Sequence, residues 1–323
     1  MSFSMADLDA ATAVVRTHFP ATPQFAWPLL GEHVGATVWV KHENQTPTGA
    51  FKVRGGLVYA DRLARERPEV TGIVSATRGN HGQSLAYAGS AAGLRVVIVV
   101  PEGNSPDKNA AMEGFGAELV VHGADFQESR EQAARLGEEL GLETVPSFHR
   151  DLVVGVATYA KELFDAAGPL DAVYVGVGMG SGIAGIVGVR DLLGLSTRVV
   201  GVVAEQAPAT ALSFAAGEVV TTERAATFVD GVACRTPDPE AIATIVAGAD
   251  HVVTVSEDDT AEAMRVLLRT THQLAEPAGA IALAGLLAER EAVAGTRVGV
   301  ILSGGNCDSS ILAEVLAGRT PAA

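Results

Sequence analysis

The chain has 323 residues, 48% of them hydrophobic and 5% aromatic, with a formal net charge of −15 and two cysteines. The negative surplus excludes a nucleic-acid surface, which needs a basic patch to hold phosphates. Cys234 and Cys307 are too few for a disulfide framework, so a reducing cytoplasm is the expected home.

No stretch approaches the roughly 20 apolar residues of a membrane span, so no membrane partner is expected. The first residues lack a basic segment followed by an apolar one, which speaks against a secretory signal. The length suits two lobes in one α/β unit. The 36 glycines suit close helix-on-sheet packing and ligand loops.

Short β-branched runs alternate with longer helical stretches. Strands are predicted at 37–40, 72–74, 96–100, 118–121, 172–175, 199–203, 251–255 and 298–302. Several are continuous apolar runs, as strands buried on both faces require. Helices are predicted at 126–140, 258–273 and 277–290, among others. This alternation gives the fold class α/β, with mostly parallel sheets flanked by helices. Ligands of such sheets bind beyond the carboxyl ends of strands, so the loops after strands matter most. No further domain is expected after the last strand–helix unit, and the tail 318–323 is expected to fray.

The first such loop runs from Gln45 through Phe51-Lys52-Val53-Arg54-Gly55-Gly56 and opens a helix through Arg65. A lysine at a helix start is electrostatically misplaced, because the dipole there favours anions. That placement lowers its pKa and favours the neutral amine of a nucleophile. By itself, Lys52 reads equally as a solvated helix-start lysine.

The second loop, Ser75-Ala76-Thr77-Arg78-Gly79-Asn80-His81-Gly82-Gln83, leads into a helix ending near Ala92. Free N–H groups at such a start bind carboxylate or phosphate. Asn80 can also be an ordinary helix cap, and His81 an ordinary packed histidine.

The third loop is Gly176-Val177-Gly178-Met179-Gly180-Ser181-Gly182-Ile183-Ala184-Gly185. Its alternate glycines let backbone amides curl round an anion. It lacks the Gly-Lys-Ser/Thr ending of a nucleotide P-loop, but 180–185 is formally a dinucleotide fingerprint, with Glu205 where a ribose-binding acid belongs. An NAD-dependent oxidoreductase is therefore the competing reading. The fourth loop, Ser303-Gly304-Gly305-Asn306, is a glycine turn whose hydroxyl can meet a ring nitrogen.

These four motifs, in this order, resemble the serine/threonine dehydratase family. That family includes serine racemase and belongs to the fold-type II pyridoxal-phosphate enzymes, with tryptophan synthase β-like architecture. The resemblance spans about 22–316 and includes Asp230-Gly231-Val232-Ala233 and Glu276-Pro277-Ala278-Gly279. It implies a two-lobed fold with the cofactor between the lobes. The large domain would comprise 1–69 and 147–323, and a small mobile domain 70–146.

The resemblance also assigns roles. Lys52 would hold pyridoxal 5′-phosphate as a Schiff base and take the Cα proton, and Phe51 would pack beside the ring. Asn80 would bond the ring 3′-oxygen. Gly178, Met179, Gly180, Ser181 and Gly182 would hold the phosphate, and Ser303 would face the pyridine nitrogen. Thr77, Arg78, Gly79, Asn80 and His81 would receive the carboxylate of a small amino-acid substrate. A serine opposite the ring nitrogen cannot act as an aspartate counter-ion, which favours a short-lived carbanion and β-elimination. The expected reaction is dehydration and deamination of threonine or serine. Related chemistry on 3-hydroxyaspartate, phenylserine or a hydroxyectoine-pathway intermediate is the alternative. A homodimer is expected from the resemblance.

Two departures matter. Racemase-like members carry a serine where this chain has Arg78, and a guanidinium is a poor base, so racemisation is not expected. Arg78 either reads a polar or acidic β-substituent, as in a hydroxyaspartate-like substrate, or pairs with a protein carboxylate. A divalent-cation site would use Glu205 and the position of Ala211; alanine cannot ligate, so no metal is expected.

Overall fold

The computed structural model describes residues 2–124 and 126–322. Ten strands form two sheets. They are β1 (Gln24–Ala26), β2 (Thr37–His42), β3 (Gly72–Ala76), β4 (Arg95–Val100), β5 (Glu118–Val121), β6 (Glu143–Thr144), β7 (Ala172–Gly176), β8 (Arg198–Ala204), β9 (His251–Val255) and β10 (Arg297–Leu302). The larger sheet has the order β1-β2-β10-β7-β8-β9, and the smaller β5-β4-β3-β6. Every pairing is parallel except that of β1 with β2.

The apolar runs are buried on both faces. Along β7, Val173 and Val175 enter one hydrophobic core, while Ala172 and Tyr174 enter another on the opposite face. The smaller sheet repeats the pattern: Val96, Ile98 and Val100 of β4 face one core, and Val97 and Val99 the other. The two-residue period of a strand divides each run between two helical layers, so both faces need apolar side chains. Helix Pro277–Ala288 is apolar all round, and its 277–286 segment is wholly buried.

All eight expected strands form, most of them one or two residues longer than the apolar runs. At the end of β2 the extra residues are Lys41 and His42, buried polar groups that no hydrophobic signal marks. β1 and β6 were not expected. They are three and two residues long, and Phe25 of β1 is 51% exposed. Such edges are held by backbone pairing, which leaves little trace in side-chain pattern.

β2 and β10 are neighbours, so the loops that follow them meet. An isolated bridge joins Ala50 to Gly304. The N–H of Phe51 donates to the Ser303 carbonyl at 2.9 Å, and that of Gly305 to the Gly49 carbonyl at 2.9 Å. The loops after β3 and β7 open towards the same place.

Candidate active site

A cavity of about 170 Å³ lies where these loops converge. Lys52, Phe51, Thr77, Arg78, Gly79, Asn80, His81, Gly178, Met179, Gly180, Ser181, Gly182 and Ser303 all line it. The structure therefore brings together every residue singled out from the four motifs.

Lys52 is the first residue of helix Lys52–Glu66. Two glycines seat that helix. A Cβ on Gly55 would lie 2.7 Å from the Leu152 carbonyl oxygen, and one on Gly155 would lie 2.4 Å from that of Arg54. Helix Lys52–Glu66 thus packs backbone to backbone on helix Arg150–Ala167. Burial pushes the Lys52 amine down to about 8, opposed by the Glu276 carboxylate. The direction matches the expectation from the helix start, but the leading cause is loss of water. Nζ lies 4.9 Å from the centre of the Phe51 ring and makes no hydrogen bond among the described residues. Phe51 meets Tyr159 edge-on at 6.0 Å, and the Tyr159 hydroxyl donates to the Gly182 carbonyl at 3.2 Å.

The glycine loop after β7 ends at helix Ser181–Leu192, whose start has no side-chain cap. Its first N–H groups therefore lack intrahelical acceptors. Gly180 has φ +96°, a left-handed conformation that side chains resist. A Cβ on Gly178 would lie 2.5 Å from the Gly231 carbonyl oxygen. This uncapped, glycine-rich turn fits a phosphate.

Asn80 does not act as a cap; Gly79 occupies that position. The Asn80 amide donates to Glu276 Oε1 at 2.5 Å, and its oxygen accepts from Asn306 Nδ2 at 2.8 Å. Thr77 is buried, and its Oγ1 accepts from the Gly79 N–H at 3.1 Å. His81 is buried; loss of water, then the charge on Lys52, pushes it down to about 3, so its ring is neutral. The Ser303 hydroxyl donates to the Ala278 carbonyl at 3.1 Å, which leaves its oxygen free to accept. Arg78 is exposed and pairs with no carboxylate among the described residues.

Three lining residues, Glu276, Lys108 and Asp230, were given no role by the sequence, although 230–233 and 276–279 are among the segments that carry the resemblance. Glu276, just before helix Pro277–Ala288, is 1% exposed. Burial pushes its carboxyl up to about 7, although Lys108 opposes the shift, and Oε2 has no hydrogen-bond partner among the described residues. Lys108, on helix Pro106–Gly114, forms an ion pair with Asp230. The Ser105 hydroxyl donates to Asp308 at 2.6 Å. These contacts join the side of the smaller sheet to that of the larger across the cavity. The sequence signals were the family-like segments 230–233 and 276–279, the second opening the last long apolar helix. Cys234 also lines the cavity, but burial pushes its thiol up to about 11, so it is no thiolate.

Comparison with known proteins agrees with this geometry. Residues 15–304 match the family described as pyridoxal-phosphate dependent enzyme. The L-threo-3-hydroxyaspartate ammonia-lyase of Saccharomyces cerevisiae is 31% identical over 97% of this chain and 95% of its own. A biosynthetic L-threonine dehydratase of Haemophilus influenzae is 31% identical over 91% of this chain, which spans 58% of that longer protein. The crystal structure of a threonine deaminase from T.th. superposes with a TM-score of 0.88 at 34% identity, covering 95% of this chain and 99% of the other. The competing dinucleotide reading of 180–185 is set aside: the matched family uses pyridoxal phosphate, and Lys52 shares the cavity with that loop.

Proposed function

The chain belongs to the family of pyridoxal-phosphate dependent enzymes, and from that premise we propose that it removes water and ammonia from a small β-hydroxy α-amino acid to give a 2-oxo acid. The observation that carries the proposal is a buried, easily neutralised amine, Lys52, in one cavity with an uncapped helix start at Ser181.

When bound, the cofactor supplies the electron sink for the bond-breaking at Cα. Lys52 is the residue that attaches its aldehyde, and Phe51 supports its ring. Gly178, Met179, Gly180, Ser181 and Gly182 hold its phosphate. Asn80 faces the 3′-oxygen with its second amide hydrogen, the first being committed to Glu276. Ser303 would turn its hydroxyl from the Ala278 carbonyl to donate to the pyridine nitrogen. Thr77, Gly79, Asn80 and His81 present the start of helix Asn80–Ala91 to the substrate carboxylate, with Arg78 beside them. Freed on substrate binding, neutral Lys52 Nζ takes the Cα proton. Arg78 stays charged and supplies no second base, which disfavours racemisation.

Residues 70–146 are proposed as the mobile unit, and 1–69 with 147–323 as its base. A cytoplasmic homodimer is part of the same reading. Two free cysteines support a reducing compartment. No helix among the described residues is long and apolar enough to cross a membrane.

The test is spectroscopic and chemical. Purified protein given the cofactor should gain a visible band, and borohydride should fix the cofactor on Lys52. Serine, threonine or 3-hydroxyaspartate should release a 2-oxo acid. Lys52→Ala should lose the band and at least about a thousandfold in turnover. No band in the wild type would overturn the proposal.

A further inference from the structure

We propose that the site selects an amino acid with a second carboxylate on Cβ, read by Arg78 and Arg235. The inference rests on the lyase reading above and names its substrate class.

A second cavity, of about 430 Å³, adjoins the first and shares Arg78, Ser147, Met179 and Cys234 with it. Three arginines line it. Arg78 follows β3, Arg130 lies on helix Phe126–Leu140, and Arg235 lies on the opposite side, just past the 3-10 turn Asp230–Val232. All three are exposed. None of their side chains has a hydrogen bond or ion pair among the described residues. Most other arginines of this chain do have carboxylate partners, as Arg95 has Glu118 and Arg150 has Asp7.

The acids that line it among the described residues are already matched. Asp230 pairs with Lys108, and Asp238 accepts from the N–H groups of Glu240 and Ala241. Three guanidinium groups facing one concavity repel one another unless an anion joins them. Their planar forks suit a carboxylate held by two parallel hydrogen bonds. A net charge of −15 repels a dianion at long range, so local cations are needed to admit one.

The chemistry fits the same lyase. With 3-hydroxyaspartate, the Cα proton goes to Lys52 Nζ, the Cβ–O bond breaks, and hydroxide leaves as water on gaining a proton. The resulting enamine tautomerises, and its imine takes up one water. The net products are oxaloacetate and ammonia, with no oxidant or reductant required.

The test compares kcat/KM on 3-hydroxyaspartate with that on serine, in the wild type and in Arg78→Gln and Arg235→Gln. The ratio should favour hydroxyaspartate in the wild type and fall about 10- to 100-fold in either variant. Calorimetry supplies a second readout without turnover: succinate should bind the wild type and butyrate should not, and either variant should lose the succinate signal. An unchanged ratio in both variants, or succinate binding that survives both substitutions, overturns the proposal. Succinate binding without turnover of any amino acid would overturn the lyase reading and leave the arginine site standing.

Discussion

Arg54 and Arg78 carry the same charge and meet opposite surroundings. Arg54, two residues past Lys52, is fully buried. Its Nε donates to Glu43 at 2.7 Å and its Nη1 to Glu162 at 2.8 Å and Thr158 at 3.0 Å, while Nη2 reaches Thr22 at 3.1 Å. Burial alone would weaken its charge, but the two carboxylates outweigh that and hold its pKa above the ordinary value. Glu162 is held down to about 2: burial alone would raise it, and Arg54 and Lys41 prevail. Arg78 has no such partners among the described residues. Charge matched from within the chain marks a structural knot, here beneath the helix that carries Lys52. Charge left unmatched beside a cavity marks a place for a ligand.

The comparison can be broken by substitution. Arg54→Ala should cost about 3–5 kcal/mol of stability, because it strands the buried Glu43 carboxylate and leaves Glu162 to Lys41 and Arg16. Arg54→Lys, which keeps the charge and loses the fork, should cost less. Denaturant midpoints measure both, and a neutral Arg54→Ala would erase the contrast between the two arginines.

A second probe concerns the amine above that knot. Lys52 is charged below about 8 and neutral above it, and only the neutral amine attacks an aldehyde. Cofactor capture, followed as growth of the visible band, should slow about tenfold per pH unit below about 8. A profile that keeps falling from about 10 downward would show that the amine behaves as a solvated lysine. The smallest effect is expected at the other arginine: Arg78→Ala should change stability by no more than about 0.5 kcal/mol, since nothing in the fold leans on it.

Much of the site was legible because its loops announce themselves. Lys52, Asn80, Gly178–Gly182 and Ser303 each follow an apolar strand and sit among glycines, and strand ends are where such sheets bind ligands. Lys108 carries no local signature, and the family-like segments around Asp230 and Glu276 do not say what those two side chains touch. Each is an ordinary polar residue in its own segment, and only packing brings helix 106–114, the turn at 230 and the start of helix 277–288 together. The same holds for Arg54. Its neighbours in sequence suggest nothing of Glu43, Glu162 or complete burial. The cause of the Lys52 shift was likewise hidden, since burial is a property of the assembled fold.

β10 lies between β2 and β7, in the middle of the larger sheet, yet follows all other described strands in the chain. During synthesis, the segment bearing Lys52 leaves the ribosome about 250 residues before the strand it must lie beside. Until that strand arrives, β2 and β7 have no shared neighbour, and the Ala50–Gly304 bridge cannot close. Long-range pairing of this kind is slow and exposes sheet edges meanwhile. The cofactor pocket therefore cannot close until the chain has been made through Gly304 and β10 has slotted between β2 and β7.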